Sequence, residues 1–278
     1  MRFTKYHAVG NDYLVINPAD LPPDLPDDWV MRVCDRQRGV GADGVLLGPL
    51  PTTTADFALR IFNPDGSEAE KSGNGLRIFA RYLHDQQRVD KTPFTVETIG
   101  GTVMCRVHDD GRTVTVAMGR VSFDSRDIPV SGPLRTVLDE ELSAGGRTFR
   151  FSAATIGNPH CVVVLDTPTP ALAQTFGPLI ERDARFPNRT NVQFVRVEGR
   201  SSLRMEIWER GAGYTLASGS SSCAAAAVAH RLGLCDAQVA VTMPGGVLHV
   251  TVDDDWTVTL TGPVTSVCRG ETAPELLG

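Results

Sequence analysis

The chain repeats itself once, and this internal repeat constrains its fold more than any other feature. Residues 61–66 followed by 72–75 match residues 207–212 followed by 218–221, and the offset is 146 residues in both places. Three further pairs of markers keep the offset between 144 and 147 residues: Gly10-Asn11 with Gly157-Asn158, Gly100-Gly101 with Gly245-Gly246, and 113–116 with 257–260. We therefore interpret the chain as a duplicated unit and predict a site between the two copies.

Size and composition set the broad class. The 278 residues suffice for two cores of about 140 residues each, and the 41% hydrophobic and 22% charged fractions are ordinary for a globular protein. A net charge of −6 gives no basic footprint for nucleic acid or an anionic membrane. The N-terminus lacks the apolar run of a signal peptide, and no stretch approaches the roughly 18 apolar residues that span a bilayer. We expect a cytoplasmic protein without nucleic-acid or membrane partners.

Six cysteines are scattered along the chain: Cys34, Cys105, Cys161, Cys223, Cys235 and Cys268. None forms a C-x-x-C pair, which argues against a zinc or redox site. We predict reduced, buried thiols that act as small apolar side chains.

Both halves alternate apolar and polar residues, which indicates half-buried strands. Clear examples are residues 94–98, 101–107, 161–165 and 247–252. The Gly-Gly pairs of the repeat mark turns between strands.

Each half also has one strong helix candidate directly after a serine. Apolar residues recur at helical spacing from Leu76 to Leu83, and Cys223–Ala229 is an alanine-rich run that should be buried. Shorter helices are predicted at Asp28–Cys34 and Pro170–Ile180. Each half therefore has a strand-rich layer around one buried helix, and this arrangement predicts an α+β fold. The predicted lobes are residues 1–118 with 263–278, and residues 119–262.

The serines that precede these helices, Ser72 and Ser218, occupy equivalent positions of the repeat. A single serine there is most simply an N-cap. Two helix N-termini from opposite lobes would, however, form a pocket with two positive ends. Such a pocket suits a carboxylate whose neighbouring carbon gains negative charge.

Six segments, in order along almost the whole chain, carry a family resemblance: Lys5–Tyr13, Asn63–Glu68, Gly73–Arg77, Gly157–His160, Pro187–Asn191 and Trp208–Gly213. The chain resembles the diaminopimelate epimerases. The resemblance implies two pseudo-symmetric lobes, each a strand barrel around a central helix, with the active site in the cleft. It also implies a homodimer and an amino acid inverted at Cα without pyridoxal phosphate, metal or other cofactor.

The family uses one cysteine from each lobe, and here Ser72 and Ser218 stand at those positions. A thiolate removes the Cα proton in the family and a thiol delivers one to the opposite face. A hydroxyl is a poor base unless another group takes its proton. His160 and Glu209 are the candidate helpers by motif position. Lys71, Glu68 and Glu70 are local alternatives, although they are more simply interpreted as a solvated face.

The binding positions of the family are retained. Residues implied to hold the substrate are Asn11, Asn63, Asn158, Asn191, Glu209 and Arg210. Backbone amides implied to hold the reacting carboxylate are those of Gly73, Asn74, Gly219 and Ser220. Some relatives carry a substrate-contacting glutamine near Asp43-Gly44, where this chain has glycine.

Three functions follow as hypotheses. The first is an epimerase that converts LL- to meso-diaminopimelate in the pathway to lysine and the cell wall. The second is an isomerase or lyase of the same fold that uses Glu209 or His160 for proton transfer. The third is a catalytically impaired form, natural or made by Cys→Ser substitution, that binds the amino acid without turning it over.

Overall fold

The computed structural model describes residues 1–108 and 110–278. They form two compact units: unit 1 comprises Met1–Val116 and Gly262–Gly278, and unit 2 comprises Ala117–Thr261. Within the described part of the chain, every helix is too short or too polar to span a bilayer.

Unit 1 is built mainly from strands. They are β1 (Arg2–Ala8), β2 (Asn11–Ile16), β3 (Val45–Leu50), β4 (Phe57–Phe62), β5 (Glu68–Ala69), β6 (Phe94–Thr98), β7 (Gly101–Val107), β8 (Thr113–Arg120, which runs past the unit boundary) and β18 (Thr265–Glu271). The helices are α1 (Trp29–Cys34) and α2 (Gly73–Asp85). The hydrogen-bonded order is β18, β1, β2, β3, β4, β6, β7 and β8, with β5 on β4.

Unit 2 contains the matching set. Its strands are β9 (Glu140–Ala144), β10 (Arg147–Thr155), β11 (Pro159–Val164), β12 (Asn191–Gly199), β13 (Ser202–Glu209), β14 (Gly213–Thr215), β15 (Gln238–Met243), β16 (Gly246–Val252) and β17 (Thr257–Pro263, which runs past the unit boundary). Its helices are α3 (Pro170–Glu181) and α4 (Gly219–Arg231). The order is β9, β10, β11, β12, β13, β15, β16 and β17, with β14 on β13.

The two sheets agree in strand sense as well as in order. In unit 1 the pairs β2–β3 and β4–β6 are parallel and the other pairs are antiparallel. In unit 2 the parallel pairs are β11–β12 and β13–β15, at the same places in the order. The duplication deduced from the sequence is therefore a duplication of topology.

A buried helix follows each serine, as predicted. Helix α2 contacts β1 and β2 near one end of the strand order and β7 near the other, so the sheet curves around it. Helix α4 likewise contacts β10, β11 and β12 as well as β15 and β16. The alanine run of α4 is fully enclosed, which explains why it is apolar on every face. The predicted α+β fold, with strands around one central helix in each half, is confirmed.

A second helix lies on the other side of each sheet. Helix α1 packs Val30 and Val33 into a cluster with Leu14 and Val45, and α3 packs its own apolar face into a cluster of unit 2 that contains Phe149 and Phe194. Helix α3 begins with Pro170, and Thr169 caps it by accepting from the Leu172 amide at 3.1 Å. Both short helices were predicted within one residue of their observed bounds.

The end of the chain completes the sheet of unit 1. Strand β18 pairs antiparallel with β1, with Arg2 opposite Glu271 and Lys5 opposite Cys268. It takes the place in the order that β9 takes in unit 2, although β9 precedes its neighbour in the chain and β18 is the last strand.

The cysteines are free and buried at five positions, as predicted, and Cys223 lies fully inside α4. Cys268 is the exception. It is exposed on β18, most of whose residues are exposed. The prediction of a buried thiol is therefore wrong at this position.

Candidate active site

Ser72 caps α2 in unit 1. Its backbone is extended (φ −140°, ψ 116°), and its Oγ accepts a hydrogen bond from the Gly75 amide at 3.0 Å. The Tyr13 hydroxyl lies 3.3 Å from the same oxygen. The first amides of a helix have no acceptor within it, so the amides of Gly73 and Asn74 suit an anionic group.

Two asparagines that were predicted to bind substrate are joined in unit 1. Asn74 donates from Nδ2 to Oδ1 of Asn11 at 3.0 Å. The fully buried Arg77 donates from Nη2 to Oδ1 of Asn74 at 2.8 Å. These bonds fix the orientation of the Asn74 amide and add positive charge to the N-terminal part of α2.

An ionic cluster holds Asn11 from the other side. Asn11 Nδ2 donates to Asp43 Oδ2 at 2.8 Å, and Arg36 bridges Asp43 and Asp12 with contacts of 2.7 and 2.6 Å. Lys5 adds a contact of 2.9 Å to Asp12. Burial alone would raise the pKa of Asp12, but hydrogen bonds from Arg36 and Lys5 outweigh it and lower the pKa to about 2. The Asp12 carboxylate therefore stays ionised at neutral pH.

Asn63 lies in the turn after β4. Its Nδ2 donates to Oγ of Ser67 at 2.9 Å, and its amide donates to the Ser67 carbonyl at 2.8 Å. These contacts stabilise the turn itself, which is the usual structural role of an asparagine at such a place.

Ser218 caps α4 in unit 2 with nearly the same backbone geometry (φ −147°, ψ 124°). Its Oγ accepts from the Ser221 amide at 3.4 Å, and its side chain is buried. The amides of Gly219 and Ser220 open the helix here, as those of Gly73 and Asn74 do in unit 1. Both N-cap predictions are confirmed.

A chain of hydrogen bonds leads from β12 to the start of α4. Gln193 lies 3.1 Å through Nε2 from Nδ1 of His160, whose Nε2 lies 3.0 Å from Oδ1 of Asn158. Asn158 donates from Nδ2 to Oγ of Ser220 at 3.4 Å. Gln193 also donates to Oγ of Ser221 at 2.9 Å. His160 is thus connected to Ser220 through Asn158.

His160 is neutral in this setting. Its burial is complete, and burial is the main reason that its pKa falls to about 3, with the Arg210 charge as a second cause. In the neutral ring, Nε2 carries the hydrogen that Asn158 Oδ1 accepts, and Nδ1 accepts from Gln193. Both ring nitrogens are therefore engaged.

Asn191 and Arg210 meet at the ends of β12 and β13. Asn191 Oδ1 accepts from the Arg210 amide at 2.9 Å, and its Nδ2 donates to the Pro159 carbonyl at 2.9 Å. Arg210 also donates from Nη1 to the Asn188 carbonyl at 3.0 Å. Glu209 is the last residue of β13, and its carbonyl accepts from the amide of Ala212.

A buried carboxylate, that of Glu181, organises the turn after Glu209. Glu181 Oε1 accepts from the Gly211 amide at 3.1 Å and lies 3.4 Å from Nη1 of Arg189. Its Oε2 accepts from Nε1 of Trp208 at 2.8 Å. Glu181 is 2% exposed, so these donors replace the water that its charge would otherwise need.

One side-chain contact at the start of the central helix recurs in both units. The Asn74–Asn11 contact of unit 1 matches the Ser220–Asn158 contact of unit 2, at offsets of 146 and 147 residues. The same offset of 147 places Tyr13 on His160. Leu14 pairs with Val45 in unit 1, and the residues 147 positions later, Cys161 and Val192, pair in unit 2. The strand register of the two units therefore follows the same offset.

Gly44 corresponds to Asn191 by this offset. A Cβ at residue 44 would lie 2.4 Å from the Phe62 carbonyl oxygen and 2.7 Å from Cε1 of Tyr13. The ring of Tyr13 therefore occupies the space that a side chain at residue 44 would need.

Among the residues of these networks that the sequence analysis did not single out are Tyr13, Asp43, Glu181 and Gln193. For Tyr13 the repeat held a usable signal, because the offset places it on His160. The other three contact residues far away in the sequence, and their residue types alone do not reveal those partners.

Comparison with known proteins identifies the family of the chain. The model of the diaminopimelate epimerase family matches residues 3–123 and 152–267. Diaminopimelate epimerase 2 of Nostoc sp. is 58% identical over 276 residues, which are 99% of this chain and 97% of that protein. The diaminopimelate epimerase of Moorella thermoacetica is 41% identical over 279 residues, with 98% and 99% covered.

Solved structures support the fold. The crystal structure of a probable proline racemase from Agrobacterium radiobacter K84 has a TM-score of 0.71 and 18% sequence identity, and the match covers 100% of this chain and 95% of that one. At this identity the likeness concerns the fold alone. With the family match and the sequence relatives, it leads to one conclusion: the chain belongs to the diaminopimelate epimerase family.

Proposed function

We propose that the protein is a cofactor-independent epimerase that inverts Cα of diaminopimelate, converting the LL form to the meso form. The observation that carries this proposal is the duplicated half-site. In each unit a serine caps a buried helix, and the next residue but one, Asn74 or Ser220, bonds to an asparagine at or directly before the start of a strand. The names of the sequence relatives supply the substrate.

Inversion of a carbon acid needs a base on one face and an acid on the other. One half-site supplies only one of these groups, so we assign one face to Ser72 and the other face to Ser218. The amides of Gly73, Asn74, Gly219 and Ser220 would stabilise the carboxylate as negative charge develops beside it.

The remaining polar residues would hold the substrate in place. We assign this role to Asn11, Asn63, Asn158, Asn191, Glu209 and Arg210. The Asp43 contact to Asn11 and the Asn191 contact to the Arg210 amide support it, because they fix polar groups before any substrate binds. For His160 the engaged ring nitrogens favour a role in positioning Asn158 over a role as the base.

Serine in both acid/base positions has a kinetic consequence. A hydroxyl gives up its proton far less readily than a thiol, whose ordinary pKa is about 8.5. The Ser72→Cys/Ser218→Cys protein should therefore exchange the Cα proton faster than the natural protein.

The test is deuterium uptake at Cα of LL-diaminopimelate in heavy water, followed by NMR or mass spectrometry. We expect uptake with the natural protein, faster uptake with the double cysteine variant, and loss of uptake with Ser72→Ala or Ser218→Ala. The exposed Ser201, changed to alanine, is the matched control and should leave the rate unchanged.

The failures are distinguishable. No uptake by the natural protein together with uptake by the double cysteine variant would mean a binding protein that lacks only its acid/base pair. No uptake by either folded protein would remove diaminopimelate as substrate.

A homodimer and a cytoplasmic location complete the proposal. The family resemblance implies the homodimer, and the cytoplasmic location is the expectation from the sequence. Sedimentation equilibrium tests the first, and fractionation of cells that express the tagged protein tests the second.

A further inference from the structure

We propose that Tyr13 is a positioning and proton-relay residue that acts through Ser72. Its phenol hydroxyl would exchange a proton with Ser72 Oγ whenever that oxygen takes or gives the Cα proton. This inference rests on the proposed function, because it assigns a partner to one of the two serines.

The contact between the two hydroxyls comes first. The Tyr13 oxygen lies 3.3 Å from Ser72 Oγ, and the Gly75 amide already donates to that Oγ at 3.0 Å. A hydroxyl has one hydrogen and two acceptor positions. With one acceptor position used by Gly75, Ser72 can still donate to the phenol oxygen or accept from the phenol hydrogen. Such contacts shorten in the substrate complex of many enzymes.

The packing around Tyr13 holds its ring in this place. Tyr13 is buried in β2 with 7% of its surface exposed. The missing side chain at Gly44 leaves the space that the ring fills, since a Cβ there would lie 2.7 Å from Cε1 and 3.1 Å from Cδ1 of Tyr13. Gly44 has no positive φ, so the constraint is steric.

The chemistry explains why a serine needs such a partner. An activated hydroxyl requires an adjacent group that takes its proton, and a phenol, with an ordinary pKa near 10, ionises far more readily than an aliphatic hydroxyl. When Ser72 is the base, the Cα–H bond breaks, its electron pair stays on Cα and its proton goes to Ser72 Oγ. In the enzyme form that uses Ser72 as base, Tyr13 has already released its phenol proton to solvent, and the hydroxyl proton of Ser72 passes at the same time to this phenolate. When Ser72 is the acid, each proton moves in the opposite direction.

Unit 2 differs at the equivalent position. There the offset of 147 residues places His160, whose ring nitrogens bond to Asn158 and Gln193. The relay is therefore assigned to Ser72, and an effect of Tyr13 is expected in the half-reaction of this serine.

The decisive experiment introduces Tyr13→Phe in two backgrounds, the natural protein and Ser72→Cys. Phenylalanine keeps the ring and removes only the hydroxyl, so the fold is preserved. We expect kcat in the direction that uses Ser72 as base to fall by about 100-fold in the natural background, the scale of one proton-transfer partner. In the Ser72→Cys background the change should stay below about threefold, because a thiol ionises without this help. The alkaline limb of the pH–rate profile should also move.

The matched control is Tyr82→Phe, which removes the hydroxyl of another buried tyrosine of unit 1. It should leave kcat unchanged in both backgrounds. An equal fall of kcat for Tyr13→Phe in both backgrounds would indicate a purely structural role and overturn the relay. No fall in the natural background would overturn it as well.

A second measurement keeps this inference separate from the proposed function. In protein labelled with ¹³C at the tyrosine Cζ, the Tyr13 signal should change its titration in Ser72→Ala and keep it in Ser218→Ala. An unchanged titration in Ser72→Ala overturns the relay whether or not the protein is an epimerase. A changed titration without any deuterium uptake would support the hydroxyl pair while contradicting the proposed substrate.

Discussion

Gly44 lies directly beside the Tyr13 ring, and a Cβ at residue 44 would come within 2.7 Å of Cε1 of that ring and 2.4 Å of the Phe62 carbonyl oxygen. Gly44→Ala should therefore displace Tyr13 from Ser72 and strain β4. We expect a loss of about 1–3 kcal/mol in the free energy of unfolding, the usual cost of overpacking a closed site. Urea denaturation measures the loss, and the Cα exchange rate should fall with it.

Gly199→Ala is the matched control for this substitution. Residue 199 has an ordinary φ, and a Cβ there would meet nothing within 4 Å. The free energy of unfolding of the Gly199→Ala protein should stay within about 0.5 kcal/mol of that of the natural protein. A stable Gly44→Ala protein with unchanged exchange would show that the ring of Tyr13 moves aside freely.

The Asp12 cluster predicts how stability depends on pH. The folded pKa of Asp12 is about 2, against an ordinary value of 3.8. A lowered carboxyl pKa stabilises the fold fully above the ordinary value, and the contribution disappears as pH falls through the folded value. Between about pH 5 and pH 2 the natural protein should lose about 2 kcal/mol through this residue. Asp12→Asn should be less stable at pH 7 and should show a shallower acid limb in urea titrations. If both proteins lost the same free energy of unfolding between pH 5 and pH 2, Asp12 would not be the source of the acid dependence.

The repeat made the duplication and the two serine caps accessible from the sequence. Strand and helix periodicities are local, so α2 and α4 follow from residues such as Leu76 and Leu83 or from the alanine run. The parallel pairing of β2 with β3 is not local. It places Gly44 next to Tyr13 across 31 positions of sequence, and no local pattern specifies that distance.

The buried polar networks were the least accessible part. A glutamine in a strand and a glutamate at a helix end are ordinary surface residues by type. Gln193 and Glu181 become informative only when the fold brings His160 and Gly211 to them. Their role depends on which polar groups are buried away from water and need a hydrogen-bond partner within the protein. Only the complete packing of the fold decides this.

His160 should remain neutral from pH 8 to pH 5. Its folded pKa of about 3 lies far below its ordinary value because the ring is buried, and also because Arg210 is near. ¹⁵N NMR of the ring should show one neutral tautomer, with the hydrogen on Nε2, from pH 8 to pH 5. The exposed His249 supplies an internal reference in the same spectra. Protonation of His160 above pH 5 would show that the ring is reached by water and would reopen its role as an acid.

Glu181 should control the turn that carries Arg210. In Glu181→Gln the side chain keeps its size but loses its charge, and one of the positions that accept from Gly211, Arg189 and Trp208 becomes a donor. Hydrogen bonds to a buried charged group contribute about 1.5–3 kcal/mol each, so we expect a loss of about 3 kcal/mol in the free energy of unfolding. The Gly211 amide should exchange with solvent much faster, which hydrogen-exchange mass spectrometry resolves. KM for the amino acid should rise because Arg210 loses its fixed position.

Glu198→Gln provides the comparison for Glu181→Gln, since it removes a carboxylate of the same unit that pairs with the half-exposed Arg204 at 2.7 Å. A pair of this kind contributes less than about 1 kcal/mol, so this protein should keep its stability, its Gly211 exchange rate and its KM. If both substitutions changed exchange at Gly211 equally, the effect would arise from the net charge of the unit. A change confined to Glu181→Gln would show that three directed hydrogen bonds hold the turn, and that the position of Arg210 is set by a carboxylate that need not touch the substrate.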